Sequence, residues 1–97
     1  MTETNMPLTV QIYRRPGCHL CDDAEGLLAD AIAAMATNGT TARVERIDIT
    51  TDPALEERYG TRIPVIAARS EEIDLDTSTG PIRRLLEQAH QTAANAG

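Results

Sequence analysis

Two kinds of apolar periodicity alternate along this 97-residue chain. Within residues 8–13, LTVQIY, apolar and polar side chains alternate, which is typical of a strand. After the break RRPG at 14–17, apolar residues recur at helical spacing on one face of a longer segment: Ala24, Leu27, Leu28, Ala31, Ile32 and Met35. The chain therefore opens with a strand and a helix, and Gly39 is the stop signal of that helix.

A second strand and a short second helix follow. Residues 42–49, ARVERIDI, predict a strand in which Val44 and Ile47 depart from strict alternation, a pattern that is compatible with a bulge or a later strand start. Asp52 as N-cap, Pro53 in the first turn and Gly60 as the stop favour a helix of about two turns.

The last third predicts a hairpin and a closing helix. The segments PVIAA from residue 64 and EIDLDT from residue 72 are strand-like, with a turn expected near Ser70 and Glu71. Ser78 or Thr79 then caps a helix that Pro81 opens, and its apolar stripe continues along residues 82–89.

These elements give the order β-α-β-α-β-β-α. A strand-helix-strand start implies a right-handed parallel crossover, and the later hairpin adds antiparallel strands to the same sheet. We expect one α/β domain over residues 1–97, with a four-stranded mixed sheet, helices on both faces, and frayed ends at 1–6 and 93–97.

Composition narrows the functional classes. The net charge is −6, with nine arginines, no lysine and fifteen acidic residues, so a polyanionic partner such as nucleic acid or a membrane surface is not expected. The first residues lack the basic and apolar stretches of a signal peptide, and no apolar run is long enough to span a bilayer. We expect a cytoplasmic protein, and in that compartment two close cysteines are typical of catalysis, redox sensing or metal binding.

The two cysteines, Cys18 and Cys21, fall at the junction between the first strand and the first helix. The positive end of the helix points towards Cys18, which lowers its pKa and favours the thiolate. Cys21 lies one helical turn further on, within reach of the Cys18 sulfur. The two roles are therefore unequal: Cys18 is the expected nucleophile, and Cys21 resolves the mixed disulfide.

Neighbouring charges would tune this pair. Arg14 and Arg15 precede it and add positive potential, whereas Asp22 lies on the same helix face as Cys18 and opposes a negative sulfur. We expect the net effect to favour the thiolate. His19 has two readings that stay open: a titrating charge that raises the reduction potential as the pH falls, or an exposed loop residue with no special role.

Metal binding within one chain is not expected. Structural zinc takes four ligands, and this chain offers a single cysteine pair. Haem attachment requires a histidine directly after the second cysteine, where this chain has Asp22. Two alternatives stay open: a metal or iron-sulfur cluster shared between two copies of the chain, and a binding or sensor module without turnover.

The segments IYRRPGCHLC, residues 12–21, and TRIPV, residues 61–65, resemble the glutaredoxin-like proteins of the thioredoxin superfamily, most closely the small bacterial Cys-His-Leu-Cys type. The resemblance implies the glutaredoxin version of the thioredoxin fold. It also implies that Arg15 supports the Cys18 thiolate and that Pro64 is cis and packs against the disulfide. Arg62 and Ile63 would then belong to a substrate-binding loop in which the Ile63 backbone pairs with glutathione or a peptide.

This chain departs from the glutaredoxin pattern before the last helix, where TSTGPI, residues 77–82, replaces a Gly-Gly element. Thr79 and Gly80 at that helix start would still hold a substrate carboxylate. The resemblance implies a monomeric thiol-disulfide oxidoreductase that reduces protein disulfides or glutathione mixed disulfides. It would need no bound cofactor, with glutathione as a co-substrate and either glutathione or a reductase as electron donor.

Overall fold

A computed structural model describes residues 8–37, 39–74 and 77–95 of the chain. Within these residues the elements follow the predicted order, with one extra turn of 3-10 helix at Ile49–Thr51. They are β1 Leu8–Arg14, α1 His19–Ala36, β2 Ala42–Asp48, α2 Pro53–Tyr59, β3 Val65–Ala68, β4 Glu71–Ile73 and α3 Thr79–Asn95.

The four strands form one mixed sheet in the order β2-β1-β3-β4. β1 is parallel to β2 and antiparallel to β3, and β3 is antiparallel to β4. The predicted parallel crossover through α1 and the predicted hairpin are therefore both confirmed. β1 is an interior strand of the sheet, with β2 on one side and β3 on the other.

The bulge or late start expected in β2 is wrong. Residues 8–14 and 42–48 pair in one unbroken parallel register. Val44 lies beside Val10 and Ile47 beside Tyr13, so the two apolar residues of β2 face opposite sides of the sheet. Strict alternation fails because Val44 is exposed and therefore marks no buried face of the strand.

Each face of the sheet has its own apolar cluster. The larger one joins the sheet to α1 and α3 through buried residues: Val10, Ile12, Ala24, Leu28, Ala31, Ile66, Ala68, Ile82, Leu85, Leu86 and Ala89. The smaller one, on the α2 side, consists of Ile49, Tyr59 and Val65, with Tyr13, Leu55 and Ile63 packed against it. Helices on both faces are thus confirmed, and both tyrosines of the chain stack in the smaller cluster with ring centroids 4.2 Å apart.

Element boundaries differ slightly from the predicted ones. The hairpin turn consists of Arg69 and Ser70, one residue earlier than expected, because Ala68 already pairs with Glu71. Arg69 adopts the left-handed conformation that such a tight turn requires, with φ 60°. At the end of α1, Gly39 has φ 84° and its N–H donates to the Ala36 carbonyl at 3.0 Å, as a helix stop should.

The last helix begins earlier than predicted. α3 begins at Thr79, two residues before Pro81, and the Ser78 carbonyl accepts the Ile82 N–H at 3.1 Å. It continues to Asn95, and fraying of the chain end from residue 93 stays a prediction. Three predicted parts of the chain lie outside the described residues: the ends 1–6 and 96–97, and Leu75 of the predicted last strand.

None of the described helices is long and apolar enough to cross a membrane.

Two leucines of α1 test this packing. We expect Leu28→Ala to lower the free energy of unfolding by about 2–5 kcal/mol, because the buried Leu28 side chain would leave a cavity between the sheet and α3. Leu20→Ala on the same helix should change it by less than about 0.5 kcal/mol, since Leu20 is 68% exposed. Urea unfolding of the oxidised proteins measures both values, and equal losses would contradict this arrangement.

Candidate redox site

The loop after β1 places Cys18 at the start of α1. Gly17 adopts φ 80°, a conformation that favours glycine, and the Cys18 N–H donates to the Arg15 carbonyl at 3.3 Å. Cys18 itself has an extended backbone and is the N-cap of α1. The strand-to-helix junction therefore presents Cys18 at the positive end of an 18-residue helix.

The two cysteines form a disulfide, with their Cα atoms 5.2 Å apart. The backbone N–H of Cys21 donates to Cys18 Sγ at 3.1 Å, the position that a serine or aspartate oxygen usually takes at an N-cap. Cys21 is fully buried, whereas Cys18 is partly exposed. The sulfur that a partner can reach is thus also the one that accepts the helix N–H.

Pro64 meets this loop from the neighbouring strand. The Ile63–Pro64 peptide bond is cis, and Pro64 is buried directly before β3. Tyr13 pairs with Val65 in antiparallel register, so Pro64 lies beside the end of β1, where the cysteine loop begins. Ile63 is partly buried against the α2-side cluster.

Arg14 joins the end of β1 to two carboxylates of α1. Its guanidinium contacts the carboxylates of Asp22, at 2.9 Å, and of Glu25. Glu25 also accepts from Arg46 Nε at 2.7 Å. The Arg14 pKa is raised mainly by Glu25, and although burial opposes ionisation of Glu25, Arg14 and Arg46 keep its pKa below the ordinary value.

The sequence pattern did not single out Glu25. It lies three residues after Asp22 and hence on the same helix face, but that spacing alone gives no sign of an arginine arriving from β1. Asp22, expected to oppose a negative sulfur, is instead half of an ion pair with Arg14.

Arg15, expected to support the thiolate, is paired with α2. Its guanidinium lies 2.6 Å from Glu56 Oε1. His19 is the first residue of α1 and is exposed. Its side chain makes no hydrogen bond or ion pair within the described residues. Leu20, between His19 and Cys21, is also exposed.

Arg62 is held by acids of the β3–β4 hairpin. Its Nε lies 2.6 Å from Asp74 and its terminal nitrogen 3.1 Å from Glu72, and Glu72 also accepts from the Tyr59 hydroxyl at 2.8 Å. Asp74 and then Glu72 raise the Arg62 pKa. Tyr59 is held neutral because burial, followed by Glu72, raises its pKa to about 12. Arg62, the residue directly before Ile63, is thus fixed to β4 by its ion pair with Glu72.

Thr79 and Gly80 form the exposed first turn of α3. No hydrogen bond or ion pair joins them to the cysteines among the residues that the structure describes. Nor do the described residues bring together three or more histidine, cysteine, aspartate or glutamate side chains in an arrangement that could hold a metal ion.

Residues 9–90 match the family described as Glutaredoxin-like domain (DUF836), and the chain belongs to this glutaredoxin-like family of the thioredoxin superfamily. The X-ray structure of XcR50 from X. campestris, a Northeast Structural Genomics target, is similar, with a TM-score of 0.68 and 33% sequence identity over 82% of this chain and 97% of that chain. The solution structure of XcR50 gives a TM-score of 0.66 at 33% identity, over 82% of this chain and 94% of that one.

A more distant likeness extends to the human protein ERp44. It has a TM-score of 0.59 at 12% identity, covering 90% of this chain and 29% of that chain, and it shows the fold alone. Comparison with curated proteins gave no match. The predicted thioredoxin-like α/β fold is therefore confirmed, and so is the predicted glutaredoxin-like family of the chain.

The Arg62 network generates a prediction about acid stability. The Tyr59 hydroxyl and then Arg62 keep the Glu72 pKa below its ordinary value of 4.5, so the ionised carboxylate stabilises the fold above that pH. This contribution is lost as the pH falls through the lower, folded-state pKa. Between about pH 6 and pH 3, the free energy of unfolding should fall less in Glu72→Gln than in the unmodified chain.

Glu71→Gln is the matched control, because Glu71 is an exposed neighbour on β4 whose side chain makes no hydrogen bond or ion pair among the described residues. It removes the same charge without touching Tyr59 or Arg62. Denaturant unfolding at several pH values gives the comparison. Equal acid sensitivity in the two variants would contradict the role of Glu72.

Proposed function

We propose that this protein is a cytoplasmic thiol-disulfide oxidoreductase in which Cys18 attacks a disulfide and Cys21 completes the exchange. The observation that carries the proposal is the unequal setting of the two sulfurs. Cys18 is partly exposed at the helix N-cap and accepts the Cys21 N–H at 3.1 Å, while Cys21 is buried one turn below. A permanent staple would not need one of its sulfurs at a helix end.

The same N-cap geometry favours a thiolate once the disulfide is reduced. A negative sulfur accepts the Cys21 N–H more strongly than a neutral one, and the positive end of α1 stabilises it further. Both effects act on Cys18 and neither favours charge on the buried Cys21. Cys18 is therefore the nucleophile and Cys21 the resolving thiol.

The reaction is a two-electron exchange. The Cys18 thiolate attacks one sulfur of the substrate disulfide, forming a mixed disulfide and releasing the other substrate sulfur as a thiolate that takes up a proton. Cys21 then loses its proton and attacks Cys18 Sγ, which releases the second substrate thiol. The substrate is reduced to two thiols, and the protein is oxidised to the Cys18–Cys21 disulfide.

The substrates that fit this chemistry are protein disulfides and glutathione mixed disulfides. The Ile63 backbone beside cis Pro64 is suited to pairing with an extended peptide. Thr79 and Gly80 in the first turn of α3 would take a substrate carboxylate. Arg62, paired with Glu72 and Asp74, would hold this loop in place instead of binding an anion directly.

The protein would act as a monomer, with glutathione or a reductase returning the disulfide to the dithiol. Glutathione would serve as a co-substrate, and no bound cofactor takes part in the cycle. Neither nucleic acid nor a membrane surface is a proposed partner, given the net charge of −6.

Single cysteine variants separate the two steps. Cys18→Ser should abolish reduction of insulin and of a glutathionylated peptide, because no nucleophile remains at the helix end. Cys21→Ser should still react once and accumulate a mixed disulfide through Cys18, since the resolving thiol is missing. Mass spectrometry of the trapped adduct and a turbidity assay of insulin reduction measure the two outcomes.

The two variants control for each other, because each removes the intramolecular disulfide. Substantial activity in Cys18→Ser, or a trapped adduct on Cys21 alone, would reverse the assigned roles. A chain that is inactive on both substrates would contradict the proposal, and if it were coloured and dimeric when purified without oxygen it would instead indicate a shared cluster.

A further inference from the structure

Asp22 creates an electrostatic problem for a nucleophile at position 18. It lies four residues after Cys18 in α1, and its backbone N–H donates to the Cys18 carbonyl at 3.1 Å. Because Cys18 is the N-cap and Asp22 lies in the first turn of α1, the carboxylate stands about one helical turn from the end that carries the sulfur. An unpaired carboxylate there would disfavour the Cys18 thiolate by like-charge repulsion.

Arg14 lies where it can cancel that charge. It reaches from the last residue of β1 to Asp22 Oδ1 at 2.9 Å and also contacts Glu25, one turn further along α1. The Arg14 side chain is only 17% exposed, against 60% for Asp22, so the cation is the more firmly enclosed member of the pair. Because the Arg14 side chain is mostly enclosed, it is held in place for this contact, while the exposed Asp22 remains in contact with solvent.

The two carboxylates depend on Arg14 to different degrees. Glu25 has a second partner, Arg46. Within the described residues, Asp22 forms an ion pair with Arg14 alone. Loss of Arg14 would therefore leave Asp22, the carboxylate nearer to Cys18 along the helix, without its cation. It would leave Glu25 still paired.

The other charged groups around the junction either have partners other than Asp22 or are exposed. They are Arg15, paired with Glu56; Asp48, bonded to Thr50; and the exposed His19 and Asp23. None of them makes a hydrogen bond or ion pair with Asp22 within the described part of the chain.

From these contacts we infer that Arg14 is a positioning residue of the redox site, which holds the first turns of α1 against β1 and neutralises Asp22 so that Cys18 can carry a thiolate. This assigns to Arg14 the supporting role that the family resemblance gave to Arg15. The inference rests on the proposed function for its purpose. Its test, however, needs no substrate.

The test is a titration of thiolate absorbance in the Cys21→Ser background, where Cys18 is the one remaining cysteine of the chain. Arg14→Gln should lower the ratio of thiolate to thiol at a fixed pH by about two- to fivefold, the range expected when a partly exposed charge loses its partner. Arg46→Gln is the matched control. It removes the same charge and also a partner of Glu25, but leaves Asp22 paired, and should leave the thiolate fraction unchanged.

A double variant distinguishes neutralisation from a purely structural role. Arg14→Gln with Asp22→Asn should return the ratio of thiolate to thiol to within about twofold of the parent, because the uncompensated charge is gone. Equal shifts in Arg14→Gln and Arg46→Gln, or no recovery in the double variant, would overturn the inference.

A second measurement covers the case in which Arg14→Gln does not fold. Asp22→Asn alone should change the ratio of thiolate to thiol by less than about twofold, since Arg14 already neutralises Asp22. A rise of more than about twofold would overturn the inference. Inactivity towards disulfide substrates with the expected titrations would refute the proposed function while leaving the role of Arg14 intact.

Discussion

The hydrogen bond from the Cys21 N–H to Cys18 Sγ is the interaction on which this site depends. Every helix begins with backbone N–H groups that lack an intrahelical partner, and an N-cap side chain usually supplies an oxygen to one of them. In this chain a sulfur takes that place. The atom that caps α1 is therefore also the atom whose oxidation state changes, which couples the chemistry of Cys18 to the electrostatics of the helix.

The rest of the fold keeps that cap in position. β1 delivers the loop and is held on both sides by β2 and β3, while α1 is fixed by the larger apolar cluster. The smaller cluster on the α2 side secures Ile63 beside Pro64. Ion pairs complete the arrangement, with Arg14 joining β1 to α1, Arg15 joining the loop to α2, and Arg62 joining the Pro64 loop to β4.

Sequence reasoning predicted the parts of this structure that follow from burial and local geometry. The apolar spacing of α1, the caps of α2 and the order of elements along the chain all have periodic or positional signals. So does the placement of Cys18 one turn before Cys21. It missed the partners of Arg14, Arg15 and Arg62. Those contacts join residues that are distant along the chain. An exposed or half-buried charged residue does not recur at a regular spacing, so no sequence pattern indicates its partner. The unbroken register of β2 was missed because most of this strand is exposed, so that its apolar residue Val44 does not mark a buried face.

The reduction potential of the Cys18–Cys21 pair tests most directly whether the capped disulfide is a working redox couple. Equilibration of the protein with glutathione buffers of known ratio, read by mass spectrometry of alkylated thiols, gives the value. Stabilisation of the Cys18 thiolate at the helix end predicts a potential between about −270 and −200 mV, the range of thioredoxins and glutaredoxins. A potential below about −300 mV, which is typical of structural disulfides, would contradict this account.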